Sequence, residues 1–379
     1  MKTVTRFMSA MGLAITAIAA LAVPANASAR ENHRSGGNEV VFVQNDSVTG
    51  NQIVAYDRAE DGTLTQARTY ATGGLGGVLT GSVVDHLASQ GSLTYDRRHG
   101  LLYAVNAGSN TVSVFSVRGD RLFLRQLLPS GGTFPVSVAV HDNLVYVLNA
   151  RAGGSVQGYR VFFGFVLPLR HSNRSLALPA VTTPEFVSTP GQVAFSPDGS
   201  QLLVTTKANG SAIDVFGVGQ DGRLAATPVV NSEPGTVPFA VDFDAAGHLV
   251  VTEAGTNALA TFSLASNGTI APIDAKPTSQ SATCWVVQAN GTFYASNAGS
   301  ASLTGFRSSP AGVLAPVGQT TTDAGTVDAA VTADGQYLYV QAGAAGIVDE
   351  FSVNADGSLT PIGSVIVPDA VGAEGIVAI

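Results

Sequence analysis

LLYAVNAGSNTVSVFSV, residues 101–117, holds a strand, a turn and a second strand in one line. Leu101–Val105 is a continuous aliphatic and aromatic run, as expected of a strand buried on both faces. Asn106-Ala107-Gly108-Ser109-Asn110 is turn chemistry. Thr111–Val117 alternates small polar with apolar residues and carries the aromatic Phe115 near its end. The same grammar returns in HLVVTEAGTNALATFSL (248–264), TFYASNAGSASLTGF (292–306) and YLYVQAGAAGIVDEFSV (337–353). Looser copies occupy 39–57, 144–161 and 201–218. Seven aromatics mark the seven copies: Tyr56, Phe115, Tyr159, Phe216, Phe262, Phe306 and Phe351.

Working outward from each copy, an Asp-Gly or Asn-Gly hairpin follows at Asp61-Gly62, Asp221-Gly222, Asn267-Gly268 and Asp356-Gly357. Another hairpin precedes the first strand, as in Ser196-Pro197-Asp198-Gly199. Four short antiparallel strands in a repeat of about 45 residues form a propeller blade. The chain therefore reads as all-β, a seven-bladed β-propeller of four-stranded antiparallel blades. Intervals of 59 and 57 residues between marker aromatics, against 44–46 elsewhere, place insertions near 73–90 and 162–190. The C-terminal run Glu374–Ile379 resembles an opening strand, and 39–57 a blade lacking one. The C-terminal strand is expected to join the N-terminal blade and close the ring, which leaves no open edge at the seam.

Composition agrees. Of 379 residues 43 are Gly, and only 12% are charged. This excludes a coiled coil and a charged disordered chain. The net charge of −8 argues against nucleic acid as a partner. Cys284 is the single cysteine, so neither an intramolecular disulfide nor a cysteine-based zinc site can form.

The N-terminal run has Lys2 and Arg6, an apolar stretch from Met8 to Val23, and small residues at Ala25–Ala29. This is the pattern of a secretory signal peptide over 1–29. Residues 30–38 read as a flexible lead-in and 39–379 as one propeller domain. The expected location is secreted, periplasmic or extracellular. After removal of the leader, 17 basic residues face 27 acidic ones, a net charge of −10. An acidic chain of this kind favours neutral, cationic or small partners over anionic lipid. No later segment is long and apolar enough to span a membrane, and a closed ring predicts a monomer.

Residues 39–379 resemble the lactonase-type seven-bladed propellers, which include 6-phosphogluconolactonases and 3-carboxymuconate cyclases. The resemblance is carried by Ser196–Gly199 with its following strand, by Val105–Phe115, and by the Asp-Gly-x-Leu hairpins at Asp61–Leu64, Asp221–Leu224 and Asp356–Leu359. It implies a ligand site at the mouth of the central channel. Enzymes of that family carry Pro-Arg-His on an inner strand and a Glu at the end of the next. Here the matching residues are Pro238-Phe239-Ala240 and Glu253, so the acid is kept and the Arg and His are replaced.

Candidate site residues lie on the face shared by second-to-third-strand loops and blade connections. Glu253 is the charged member of the strand-end ring and a candidate base. Asp85-His86, in the first insertion, is a candidate acid–base pair, since a carboxylate beside an imidazole tunes it near neutrality. Gln192, Lys207, Asp328, Trp285 and Arg151 are candidate ligand contacts. His99, His141 and His248 fall in hairpins on the opposite face and are expected to be solvated. Asn106, Asn149 and Asn297 read as turn residues. No cofactor is called and no calcium loop is present; a divalent cation is not indicated. Gly73–Gly77 has no following Lys-Ser/Thr and is not a phosphate loop. The expected activity is hydrolysis or isomerisation of a lactone or sugar-acid ring. The alternative is a non-catalytic extracellular ligand-binding propeller.

Overall fold

The computed structural model describes residues 39–180 and 183–379. The expected signal peptide and lead-in lie outside the described residues. Seven antiparallel sheets make up the fold. Blade 1 combines the C-terminal strand Ile376–Ala378 with Val40–Gln44, Gln52–Arg58 and Leu64–Ala71. Blades 2 to 7 run through 93–129, 135–175, 193–232, 238–277, 283–321 and 326–366. Blade 3 adds a short fifth strand, Arg174–Ser175, beside its third. Innermost strands of neighbouring blades touch around the ring, and Ile376–Ala378 touches those of both blade 7 and blade 2.

The ring closes as the repeat predicts. Ile376–Ala378 pairs antiparallel with Val41–Val43, and Gln44 N donates to Gly375 O at 2.8 Å. Every strand of the ring among the described residues, including this seam, lies between Val40 and Ala378.

The seven marker aromatics are all buried on third strands. In blades 1, 2, 5, 6 and 7 the outer strand has a β-bulge opposite the aromatic. The additional residue there is Ala67, Arg125, Ile273, Val317 or Ile362. Such a bulge bends the edge strand and increases its twist. Tyrosines on second strands tie blade to blade. Tyr146, Tyr294 and Tyr339 donate to the carbonyls of Gly222, Gly357 and Gly62 in the outer hairpin of the next blade, at 2.7–2.8 Å.

The first insertion falls where the aromatic spacing put it, whereas the second is shorter than the expected 162–190, because Phe165–Pro168 and Arg174–Ser175 are strands of blade 3. Residues 72–92 connect blades 1 and 2, and 176–192 connect blades 3 and 4.

Candidate active site

Asn106 and Asn297 have both polar side-chain atoms bonded, whereas the buried Oδ1 of Asn149 has no partner. Asn106 Oδ1 accepts from Thr72 Oγ1 (2.7 Å) and Asn51 Nδ2 (3.0 Å), and its Nδ2 donates to Ser113 Oγ. Asn297 is likewise bonded to Thr283 and Thr304. Their side chains are spent within the blades.

The first insertion crosses the channel mouth. Ser89 and Gln90 are bonded to blade 6, to blade 3 and to the connection between blades 3 and 4. Trp285 Nε1 donates to Ser89 O at 2.5 Å. Gln90 pairs its amide side chain with the backbone of Val286 at 2.9 and 3.0 Å. Ser137 Oγ donates to Gln90 O (2.6 Å), and Gln90 N donates to Gly191 O (3.1 Å). On the C-terminal side, His86 N donates to Gly372 O at 2.6 Å. The second insertion locks onto the first. Glu185 takes a bidentate pair from Arg151 (3.0 and 2.7 Å), and its Oε2 also accepts from Thr80 N (2.7 Å). The Arg151 guanidinium beside it holds the Glu185 carboxyl down at about 2. Arg151 also lies over the Phe134 ring at 4.2 Å. Together the insertions form a cap.

Beneath the cap lies a cluster of ionisable groups drawn from distant parts of the chain. Asp85 comes from the cap, Glu374 and Asp46 from the seam, Lys207 from blade 4, Cys284 from blade 6 and Asp328 from blade 7. The Asp85 and Glu374 carboxyls are hydrogen-bonded to each other. Ala88 N donates to Asp85 at 2.6 Å, and Ser89 N to Glu374 at 3.1 Å. The Ser89 hydroxyl also meets Glu374, and Glu374 N donates to Asp46 at 3.0 Å. Burial raises both Asp85 and Glu374, and the negative charge of Asp85 raises Glu374 further. Burial likewise pushes Asp46 and Asp328 up to about 7.

Lys207 is only 1% exposed. Its ammonium donates to Ala88 O (2.6 Å), Phe186 O (2.7 Å) and Thr189 Oγ1 (3.1 Å), so it staples both insertions to blade 4. Burial draws Lys207 down to about 8, opposed by Asp85, Cys284 and Glu374. The Cys284 thiol is pushed up to about 12 by burial. Cys284 and Asp242 nonetheless keep some accessible surface on innermost strands, which puts them on the channel wall.

Of the residues singled out from sequence, the fold brings Asp85, Lys207 and Asp328 into this cluster. Trp285, on the innermost strand of blade 6, packs on Phe239 at 4.8 Å between ring centroids and bonds the cap at Ser89. Gln192 accepts from Val241 N at 2.6 Å and bridges blades 4 and 5. His86 stands next to Asp85 in sequence, but no hydrogen bond joins the two side chains. Its ring packs on Gly372 (φ 81°), where a Cβ would sit 2.2 Å from Nε2, and burial lowers its proton affinity. Glu253 sits apart from the cluster. It is 7% exposed, accepts from Thr256 Oγ1 at 2.9 Å, and is raised by burial. The histidines expected to be solvated do lie in hairpins, but two are bonded. His99 Nδ1 meets Asp96 at 2.6 Å and His248 Nδ1 meets Asp244 at 2.8 Å. Sequence reasoning gave Asp46 no role and Glu374 only a place at the start of the closing C-terminal strand. Their position at the ring seam was the signal that both face the channel.

No family model matches the sequence, and no curated protein matches it. Solved structures do match. A Bacteroides fragilis protein provisionally described as a 6-phosphogluconolactonase superposes with a TM-score of 0.74 at 18% identity, covering 91% of this chain and 99% of its own. The periplasmic gluconolactonase of Pseudomonas aeruginosa superposes at 0.70 with 18% identity, covering 87% and 96%. Virginiamycin B lyase from Staphylococcus aureus superposes at 0.54 with 14% identity, covering 78% and 90%. The chain thus has a seven-bladed propeller fold, shared with the lactonase-type propellers that its blade motifs resemble.

Proposed function

We propose that the chain is an exported lactonase-like propeller that opens an unphosphorylated lactone or sugar-acid ring at its capped channel mouth. The observation that carries this reading is the Asp85–Glu374 pair. Two carboxyl groups joined by a hydrogen bond, both with raised proton affinity, hold one proton between them and supply an acid and a base together. In the proposed reaction the ionised member takes a proton from water as the water oxygen bonds to the lactone carbonyl carbon. The tetrahedral intermediate then breaks the ring C–O bond, and the protonated member delivers its proton to the departing ring oxygen. One water is consumed and one hydroxy acid leaves. Lys207 is a positioning residue that holds the cap and favours the ionised form of the pair. Asp328, Gln192 and Trp285 shape the site around it, and Glu253 at the rim is the second candidate base. Acidic surroundings, with Phe239 where the resembled enzymes carry Arg, disfavour a phosphorylated substrate.

Substrate entry in this reading requires residues 79–91 to move off the mouth. A non-catalytic binding propeller is the second reading. It is favoured by Phe239 and Ala240 at the family's Arg and His positions and by the many bonds that anchor the cap.

The test is a pH-stat screen of aldonolactones and muconolactones with wild type, Asp85→Asn and Glu253→Gln. Turnover that falls by about 100-fold or more in Asp85→Asn, but not in Glu253→Gln, is the expected result. Thermal melts of the variants separate lost chemistry from lost folding. Absence of turnover on every ring, together with ligand-induced thermal shifts, favours the binding propeller.

A further inference from the structure

Blades 2 and 3 depart from the rest of the ring. Residues 93–175 contain nine Arg against three Asp, a local charge of +6 in a chain whose total is −8. Phe123, Phe162, Phe163 and Phe165 are the exposed phenylalanines among the described residues, and all lie on the outer hairpins of these two blades. Leu124, Leu127 and Leu167 are exposed beside them.

The departures fall at positions where the repeat is otherwise regular. The bulge residue that is Ala67, Ile273, Val317 or Ile362 elsewhere is Arg125 in blade 2. The residue opposite the marker aromatic is Pro in blades 5, 6 and 7, which protects those edges, but Leu124 in blade 2. Blade 3 replaces the Asp-Gly outer hairpin with Phe162-Phe163-Gly164-Phe165. Phe163 (φ 47°) and Gly164 (φ 75°) form a tight two-residue turn. That turn offers no carbonyl to blade 2, and the buried hydroxyl of Tyr103 has no partner where Tyr146, Tyr294 and Tyr339 have one. A buried hydroxyl left unsatisfied costs about 1–3 kcal/mol, which stability alone would not select.

The two outer strands act as one surface. Gln126 exchanges hydrogen bonds with the backbone of Val166 at 3.1 and 2.7 Å. Arg125 lies over Phe165 at 6.0 Å and Arg118 over Phe123 at 5.8 Å. Among the described residues no carboxylate pairs with Arg118, Arg121, Arg125 or Arg170. Phe163, 86% exposed, is the tip.

We infer that the outer hairpins of blades 2 and 3 form a docking surface for an anionic phospholipid bilayer. Aromatic side chains stand at the hairpin tips with guanidinium groups around them, and no carboxylate among the described residues neutralises the four unpaired Arg. That arrangement suits insertion among headgroups, with Phe reaching the acyl boundary and Arg meeting phosphate. The acidic remainder of the ring is repelled by the same surface and orients the molecule.

Co-sedimentation of the 39–379 chain with phosphatidylcholine vesicles, with and without about one third phosphatidylglycerol, tests this at low and at high salt. Binding is expected only with the anionic lipid, falling with salt. Each Arg near the surface contributes about 1 kcal/mol, or about fivefold, so Arg121→Gln with Arg125→Gln should weaken binding about 25-fold. Phe163→Ser should weaken it severalfold. Ile366→Ser, which removes an exposed apolar residue on blade 7, should leave it unchanged. Circular dichroism confirms that these surface variants fold. Equal binding to both vesicle types, or indifference to the Arg and Phe substitutions, overturns the proposal. Self-association in sedimentation velocity that disappears in Phe163→Ser also overturns it, in favour of a protein interface.

Discussion

Asp46 and Asp328 show what burial does to a carboxyl group that no cation pairs with. Each rises from 3.8 to about 7 because its ionised form is desolvated. The folded protein therefore holds these protons where the unfolded chain has lost them. The stabilisation is complete below the unfolded value and is lost as pH rises through about 7. A rise of that size corresponds to about 4 kcal/mol per group at full titration. Lys207 acts in another window. Its value falls from 10.5 to about 8, so it adds stability only as pH rises from 8 toward 10.5. The thermal midpoint should therefore be several degrees higher at pH 5 than at pH 8. Asp328→Asn, neutral at both, should melt higher than wild type at pH 8 and show a flatter profile. A midpoint that rises between pH 5 and 8 would contradict the assignment. At this scale the sequence was partly legible. Asp85, Lys207 and Asp328 were visible as polar residues facing the mouth, but their meeting depends on Glu374, which is 285 residues from its partner Ser89.

The cap is the element that sequence reasoning located on the ligand face but whose contacts it could not give. Aromatic spacing marked both insertions, since an added length in a periodic chain is visible without any structure. What those residues touch is non-local. Gln90 bonds Val286 across 196 residues, and Lys207 reaches both insertions at once. Gln90→Ala removes two hydrogen bonds from the cap and should cost about 1–3 kcal/mol, with faster proteolysis within residues 73–91. Glu185→Gln weakens the Arg151 pair and should expose the same segment. Unchanged proteolysis in both variants would mean that the cap is held by its apolar residues Leu79 and Leu87 instead. The histidine hairpins went the other way: their face was legible, while their Asp96 and Asp244 partners were not, because each carboxylate sits inside the first hairpin.

For the whole molecule, seven copies of one grammar made the ring readable, down to the seam. Deleting Ile376–Ile379 removes the innermost strand of blade 1 and frees the edge at Val41–Val43. It should lower the urea midpoint and make unfolding less cooperative. Retention of the wild-type midpoint would show that the seam is dispensable. Net charge was a poorer guide at this scale, since a total of −8 conceals the +6 of blades 2 and 3. The proposed chemistry rests on the channel mouth, where an acid–base role is assigned to Asp85 and Glu374 beneath the cap. The pH–rate profile of lactone opening by wild type and Glu374→Gln tests it most directly. A bell-shaped profile is expected for wild type and a loss of about 100-fold or more in the variant, with the melt showing it folded. Turnover in Glu374→Gln equal to wild type, with the same profile, would contradict it.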